Sequence, residues 1–439
     1  MAQELPPVGS ETWTCGKEFA DGFLAPRIEQ VKAAFNQDAL KAYASSLRDG
    51  RTCTLSSEFS VGTCNFVKKI TFDDGVEWIA RLRMPSLANF ENPHRASLLK
   101  TDLEIQQKKR RILYEMRSEL DTMGFVRKHT DIPLPKVHGY NLDDSNPVGF
   151  PFSIIDYIHG TTAAEVSRSY TGDYESIPEE YQEKFWRQVA NVILQLASIR
   201  LPKIGSIIRD PSKPDLFMME PIVETSSGPH DSASEFYNNF PLALTKSLFD
   251  ADTAGSRLEE LCDEQGAAFR SLASSCFSPA TVLEGMASPG LGLTNWELAP
   301  HNILVDREFN ILAVIDWDSV IALPDAALYH FPIGAGMESA VPGIGRRYQP
   351  DSKREERCRR FAKIVEEVGQ ERSAKAHRGT NASGTFLPTK GGFYSKEAVA
   401  FRMLIYMRVR SEELNEECVR GLKWLSEHSE ADIAQFYKI

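Results

Sequence analysis

The stretch from Leu293 to Asp318 constrains this chain more than any other. It reads LTNWELAPHNILVDREFNILAVIDWD. Glu297 is followed five positions later by Asn302, then by a short apolar run, a four-residue link (Arg307 to Asn310) and a second apolar run ending in Asp316. Two such runs around a polar link predict a β-hairpin. The hairpin would bring Asn302 and Asp316 together at one end. An amide oxygen beside a carboxylate is a hard-oxygen pair suited to Mg2+. Phosphoryl transfer uses such a metal to neutralise phosphate charge, and an acidic group to orient the incoming hydroxyl. Glu297 is the candidate for that second role. Singly, each residue also fits a structural role: Asn302 as a turn cap, Asp316 as a strand-end acceptor of backbone amides, Glu297 as a surface carboxylate. Trp317 and Asp318 read as packing and polar support, with Asp318 reaching a metal only through water.

The 439 residues are enough for two lobes sharing a cleft. Helical pieces open the chain, the best from Ile28 to Leu47. Strand character begins near Leu55, and the runs to Leu82 alternate around Gly62 and the turn Asp73-Asp74-Gly75, a hairpin signal. Period-two alternation puts Arg81 and Arg83 on one face. A helix through Ile105, Ile112, Leu113, Met116, Leu120 and Met123 ends before Ile132-Pro133-Leu134-Pro135, whose prolines cannot continue it. A short apolar strand, Phe152 to Tyr157, leads into His159-Gly160-Thr161. Ser176-Ile177-Pro178-Glu179 has the pattern of a capping box ahead of the apolar stripe Tyr181, Phe185, Val189, Val192, Ile193 and Leu196. Residues 209–256 show no period and read as irregular structure over the cleft, part of a substrate site. A charged helix around Lys353 to Val368 and amphipathic helices from Ser395 to Ile439 complete the chain. Sheet first and helices later predicts an α+β fold. The expected division is a helical extension over 1–54, a small β-rich lobe over 55–157 and a large helical lobe over 158–439.

The hairpin segment resembles the catalytic and metal-binding loops of the aminoglycoside phosphotransferase family, H-G-D-L-x-x-x-N followed by I-D-W-[ED], in the wording of its fungal branch. The resemblance runs from about Leu55 to about Leu328 and implies a protein-kinase-like two-lobe fold. Ser60-Val61-Gly62-Thr63-Cys64-Asn65 resembles the loop that covers the nucleotide. Trp78-Ile79-Ala80-Arg81 resembles the strand that carries a basic residue onto the phosphates. Ser118-Glu119 matches the helix glutamate that pairs with it, and Phe152 to Gly160 resembles the hinge, where backbone groups near Asp156, Tyr157 and Ile158 would meet adenine. The resemblance therefore implies ATP and Mg2+ as cofactors and transfer to a hydroxyl of a small molecule, in the specialised metabolism of a fungus. Three positions depart from the family: Asn295, Trp296 and Glu297 stand where it has His, Gly and Asp. That substitution opens a second reading, a nucleotide-binding pseudokinase acting as scaffold or regulator with a protein partner.

Composition narrows the partners. A net charge of −11 argues against nucleic acid, which demands clustered Lys and Arg. The one basic run, Lys108 to Arg111, reads as a solvated helix face. Seven cysteines without a CxxC pair read as reduced thiols rather than a disulfide framework or zinc site. No signal-like start and no apolar run of membrane-spanning length is visible, so the expectation is a cytoplasmic protein with no membrane partner.

Overall fold

The computed structural model describes residues 22, 24–85, 102–143, 145–172, 177–249, 255–277, 291–332, 352–376 and 388–438. Two helices, α1 (Ala25–Ala34) and α2 (Gln37–Ser46), stand where one was expected from Ile28 to Leu47. Phe35 and Asn36 leave the helical region between them, and the Asn36 side chain accepts the Ala39 N–H at 3.0 Å, so a new helix starts there with its own cap.

The first sheet follows: β1 (Cys53–Leu55), β2 (Ser60–Val61), β3 (Asn65–Phe72), β4 (Glu77–Arg83), β5 (Val137–Asn141) and β6 (Phe152–Asp156). Its order is β1-β3-β4-β6-β5, antiparallel throughout, with β2 folded onto β3. Strands β3 and β4 alternate as their sequences demand, and Gly75 at φ +83° closes the turn between them. Phe66, Ile70, Phe72, Trp78, Ala80 and Leu82 point to one face and pack against Leu24, Ile28, Val31 and Leu40 from α1 and α2. The opposite face of β4 presents Arg81 and Arg83 to α3 (Asp102–His129). Burying each large apolar side chain of this core contributes about 1.5–3 kcal/mol. The edge strand β5 was not expected from sequence, since its half-exposed residues do not alternate.

Past the short β7 (Thr161–Thr162) the chain is mostly helical: α4 (Ala163–Thr171), α5 (Glu179–Ala197), α6 (Ala233–Leu248), α7 (Arg257–Cys276), α8 (Ser352–Ala376), α9 (Lys396–Ile405), α10 (Glu412–Glu427) and α11 (Glu430–Tyr437). Helix α5 starts on Pro178 without a side-chain cap, which makes Glu179 its first residue. Ser176, on which the expected capping box depends, lies outside the described residues. Helix α6 corrects the expectation of irregular structure over 209–256. Ser232 caps it through the Glu235 N–H, while Pro241 sits inside it and masks its helical signal. The ribbon β8 (Ser206–Arg209) with β9 (Phe217–Glu220) precedes α6.

Within this lobe, β10 (Leu291–Asn295) pairs with β13 (Val320–Pro324), and β11 (Ile303–Val305) pairs with β12 (Ile311–Val314) on one side and β7 on the other. The second core gathers the helices around Trp186, Phe240, Phe269, Phe361, Phe393 and Trp317. A small sheet lobe and a large, mostly helical lobe make an α+β fold. The six described cysteines are free thiols, Cys15 lying outside the described residues.

Candidate active site

The hairpin is held from its loop upward. Asp306 accepts the Glu308 and Asn310 N–H groups through Oδ1 and the Asn310 amide through Oδ2, which closes the link. Phe309, fully buried at φ 57°, anchors the link in the core. Gln188 of α5 clamps it by donating to the Phe309 carbonyl and accepting from the Ile311 N–H, each at 2.9 Å. Strands β11 and β12 then run to the cleft, where Ile315 N–H donates to the Asn302 carbonyl. Asn302 and Asp316 emerge side by side.

Asn302 is 5% exposed, and its Nδ2 donates to the Glu297 carbonyl at 3.0 Å, which leaves Oδ1 for an external partner. Asp316 has φ 62°, a left-handed conformation uncommon outside glycine that is found at functional turns. Asn295, 1% exposed, ties the pieces together: its Oδ1 accepts the Glu297 N–H and its Nδ2 donates to the Asp316 carbonyl at 3.3 Å. Asn295 thus fixes the loop that carries Glu297 against the strand end that carries Asp316. The Trp317 indole donates to the Val314 carbonyl and is buried, a packing role as expected.

Carboxylate oxygens of Glu297, Asp316 and Asp318 lie within 4.8 Å of one another. Asp318, expected as polar support that reaches a metal through water, is a member of this cluster. Burial is the largest influence pushing the Asp316 carboxyl up, followed by the charge of Glu119, with Arg81 pulling it back. Asp318 is pushed up by burial and then by Asp316, Glu119 and Glu297. The three converging carboxylates form a hard-oxygen donor set that fits a divalent cation such as Mg2+.

The sheet lobe supplies the other wall. Arg81 Nη1 donates to Glu119 at 2.6 Å, with the two side chains only 15% and 8% exposed. Arg83 makes the parallel pair with Glu115 at 3.0 Å, one turn back along α3. Gly62 turns β2 into β3, its N–H donating to the Asn65 carbonyl, and a Cβ there would meet nothing within 4 Å. Arg27 holds the adjoining Thr63 carbonyl at 2.7 Å. Burial raises the Cys64 thiol, Arg83 lowers it, and Asp318 and Asp316 raise it further, so the flap tip approaches the carboxylates.

At the hinge, the Asp156 side chain is engaged by the Lys136 N–H and by His138 at 2.6 Å. Tyr157 N–H donates to the Glu77 carbonyl, and the Ile158 carbonyl accepts from Gly160 N–H at 2.8 Å. Asp156 therefore braces β5 through its side chain, and its own N–H donates to the Lys136 carbonyl. His301 is exposed on the loop.

A cavity of about 330 Å3 opens beside Glu297 and Asp318 between the lobes. Its wall includes Arg111 and Arg408, neither expected at the site. Arg111 belongs to the basic run read as a solvated face, yet it donates to Glu115 and to the Glu224 carbonyl. Arg408 comes from the turn after α9, more than a hundred residues from Glu297, and no local pattern could have placed it here.

No protein-family model matches the chain. It is 31% identical over 94 residues to altered inheritance of mitochondria protein 9 of Saccharomyces cerevisiae, a stretch covering 21% of this chain and 15% of that protein. The Candida glabrata protein of that name is 34% identical over 64 residues, 15% of this chain and 10% of its own. Among solved structures, an aminoglycoside phosphotransferase aligns with TM-score 0.41 and 11% identity over 89% of this chain and 99% of its own. The macrolide 2′-phosphotransferase of Brachybacterium faecium gives 0.38 and 14% over 88% and 98%. An amicoumacin kinase in complex with AMP-PNP, Ca2+ and Ami gives 0.41 and 12% over 91% and 96%. At these scores the likenesses add nothing to the architecture described above. No helix among the described residues is long and apolar enough to cross a membrane.

Proposed function

We propose that this chain is an ATP- and Mg2+-dependent phosphotransferase acting on a hydroxyl of a small molecule, in the cytoplasm. One observation carries the reading: the carboxylates of Glu297, Asp316 and Asp318 converge at the end of the hairpin, within the field of a buried Arg81–Glu119 pair, and Asn302 is tied to the same loop through the Glu297 carbonyl. Asn302, Asp316 and Asp318 would hold the cation, which supplies neutralisation of phosphate charge. Arg81, kept in place by Glu119, would meet the phosphates beneath the Gly62 flap. Backbone groups of Asp156 to Ile158 would border the adenine. Glu297, exposed at the cavity mouth, would accept a hydrogen bond from the acceptor hydroxyl and aim its oxygen at the transferred group. Natural products of a fungal host are one source of such acceptors.

Trp296 favours the second reading, a nucleotide-binding scaffold. It is 7% exposed and packs its ring on Phe240 and Phe401, a bulk where the resembled family has glycine. The test is ADP formation with a panel of hydroxylated acceptors, comparing wild type with Glu297→Gln. Turnover that falls about a hundredfold in the variant, with nucleotide binding retained, supports the enzyme. Mg2+-dependent binding without ADP formation on any acceptor supports the scaffold.

A further inference from the structure

Helix α3 offers Glu119 and Glu115 to the sheet lobe, yet its other faces belong to the helical lobe. Leu120, Met123, Phe125 and Val126 enter the core of the helical lobe. The core of the sheet lobe takes no side chain from α3 among the described residues. On an adjoining face, residues spaced three and four apart bond to the ribbon β8–β9 and the residue that follows it. The Tyr114 hydroxyl donates to the Pro221 carbonyl at 2.8 Å, Arg117 to the Arg209 carbonyl at 3.1 Å, and the Ser118 hydroxyl to the Ile207 carbonyl at 3.3 Å. Asp121 accepts the Arg209 N–H at 2.9 Å. Ser118 and Asp121 flank Glu119 in the chain, and each is 2% exposed, so leaving either unbonded would be costly.

The ribbon continues from there to the carboxylates. Gly205, just before β8, bridges Ala322 of β13, whose N–H donates to the Gly205 carbonyl at 3.0 Å. Only glycine fits there, since a Cβ would collide with the Glu220 carbonyl across the ribbon. Strand β13 pairs with β10 so that Val320 lies opposite Asn295, whose amide holds both Glu297 and Asp316. A path of backbone and hydrogen bonds thus joins Glu119 to the carboxylate cluster without passing through the hinge.

We propose that the ribbon β8–β9 sets the spacing between the Arg81–Glu119 pair and the carboxylate cluster, with Tyr114, Ser118 and Asp121 as positioning residues. This rests on the phosphotransferase reading of the same cleft. A metal-bound polyphosphate touches both halves at once, so a fixed spacing reduces the freedom lost when it binds. Glu119, and Arg81 through it, is held at a set distance from the cation site before nucleotide arrives.

The test is calorimetry of AMP-PNP binding to the full chain with and without Mg2+. The quantity read is the factor by which Mg2+ strengthens binding, because that factor requires both halves of the site together. Tyr114→Phe and Ser118→Ala combined should cut it about tenfold, the size expected for two lost neutral hydrogen bonds, with metal-free affinity little changed. Asp121→Ala should act the same way, and Asp121→Asn, which keeps an acceptor for the Arg209 N–H, should restore most of the factor. Arg127→Gln removes a bond of the same kind, from α3 to the Leu134 carbonyl beyond Glu119, and should leave the factor unchanged. Should the double variant fold poorly, Tyr114→Phe alone, which keeps the ring, should lower the factor about threefold. An unchanged factor, an equal fall in affinity with and without Mg2+, or an equal effect of Arg127→Gln overturns the proposal and makes the α3 contacts purely structural. Absence of AMP-PNP binding by wild type sinks the phosphotransferase reading, and the proposal with it.

Discussion

The two walls of the cleft handle charge in opposite ways. On the sheet wall, Arg81 and Arg83 are each matched to a glutamate one helical turn apart on α3. On the helical-lobe wall, Glu297, Asp316 and Asp318 crowd together, and burial with mutual repulsion pushes Asp316 and Asp318 up. Matched charge is what a fold needs to tolerate burial; unmatched like charge costs stability and persists where something else is meant to bind. The same substitution type should therefore act with opposite sign on the two walls.

The largest expected effect is on the matched wall. Glu119→Ala leaves Arg81 without its partner and should lower unfolding free energy by roughly 3–5 kcal/mol in urea titration. A loss below about 1 kcal/mol would mean that Asp316 and Asp318 compensate Arg81, and the contrast between the walls would blur.

Next comes a half-buried group whose surroundings disfavour its charge. His330, behind β10, contacts the Thr294 hydroxyl at 2.6 Å, and burial, assisted by Arg402, pushes it down to about 4. The unfolded chain binds this proton near pH 6.5 and the folded chain does not. Stability from this site is thus full above about pH 6.5 and lost as pH falls towards 4, by up to roughly 3 kcal/mol. His330→Asn should flatten that limb of the stability profile; an unchanged slope would show that His330 charges in the folded state.

On the crowded wall the sign reverses. Asp318→Asn removes one of three converging charges and keeps an acceptor for the Ser319 hydroxyl, which donates at 3.1 Å. The metal-free protein should gain on the order of 1 kcal/mol at neutral pH. A loss of stability would make Asp318 a structural carboxylate. The smallest effect falls on the flap: Gly62→Ala meets open space and should change stability by less than about 0.5 kcal/mol. Nucleotide affinity should nonetheless drop severalfold, and equal affinity would separate Gly62 from the phosphates.

What the sequence made legible follows the same division. The hairpin and the sheet-then-helix order are local patterns joined by short links, so periodicity and spacing expose them; the Arg81–Glu119 pair, whose partners stand 38 positions apart in sequence, is implied only by the resemblance. Helix α6 stayed hidden because Pro241 and polar flanks break its signal. Strand β5 stayed hidden because an edge strand with half-exposed residues need not alternate. Asp318 was underread because its neighbour Trp317 suggested packing, and it lies in a turn after the left-handed Asp316, where no strand period places it. Asn295 was seen as a departure from a motif, whereas its two hydrogen bonds make it the brace between Glu297 and Asp316. Arg408 and Glu224 lie too far apart in the chain for any local rule to join them.

The most direct measurement is calorimetry of ATP binding with and without Mg2+, in wild type and Asp316→Ala. The account predicts Mg2+-dependent binding by wild type that is lost in Asp316→Ala while the variant stays folded, because its substitution relieves crowding. ATP binding that ignores both Mg2+ and Asp316, or no binding by wild type, would contradict it.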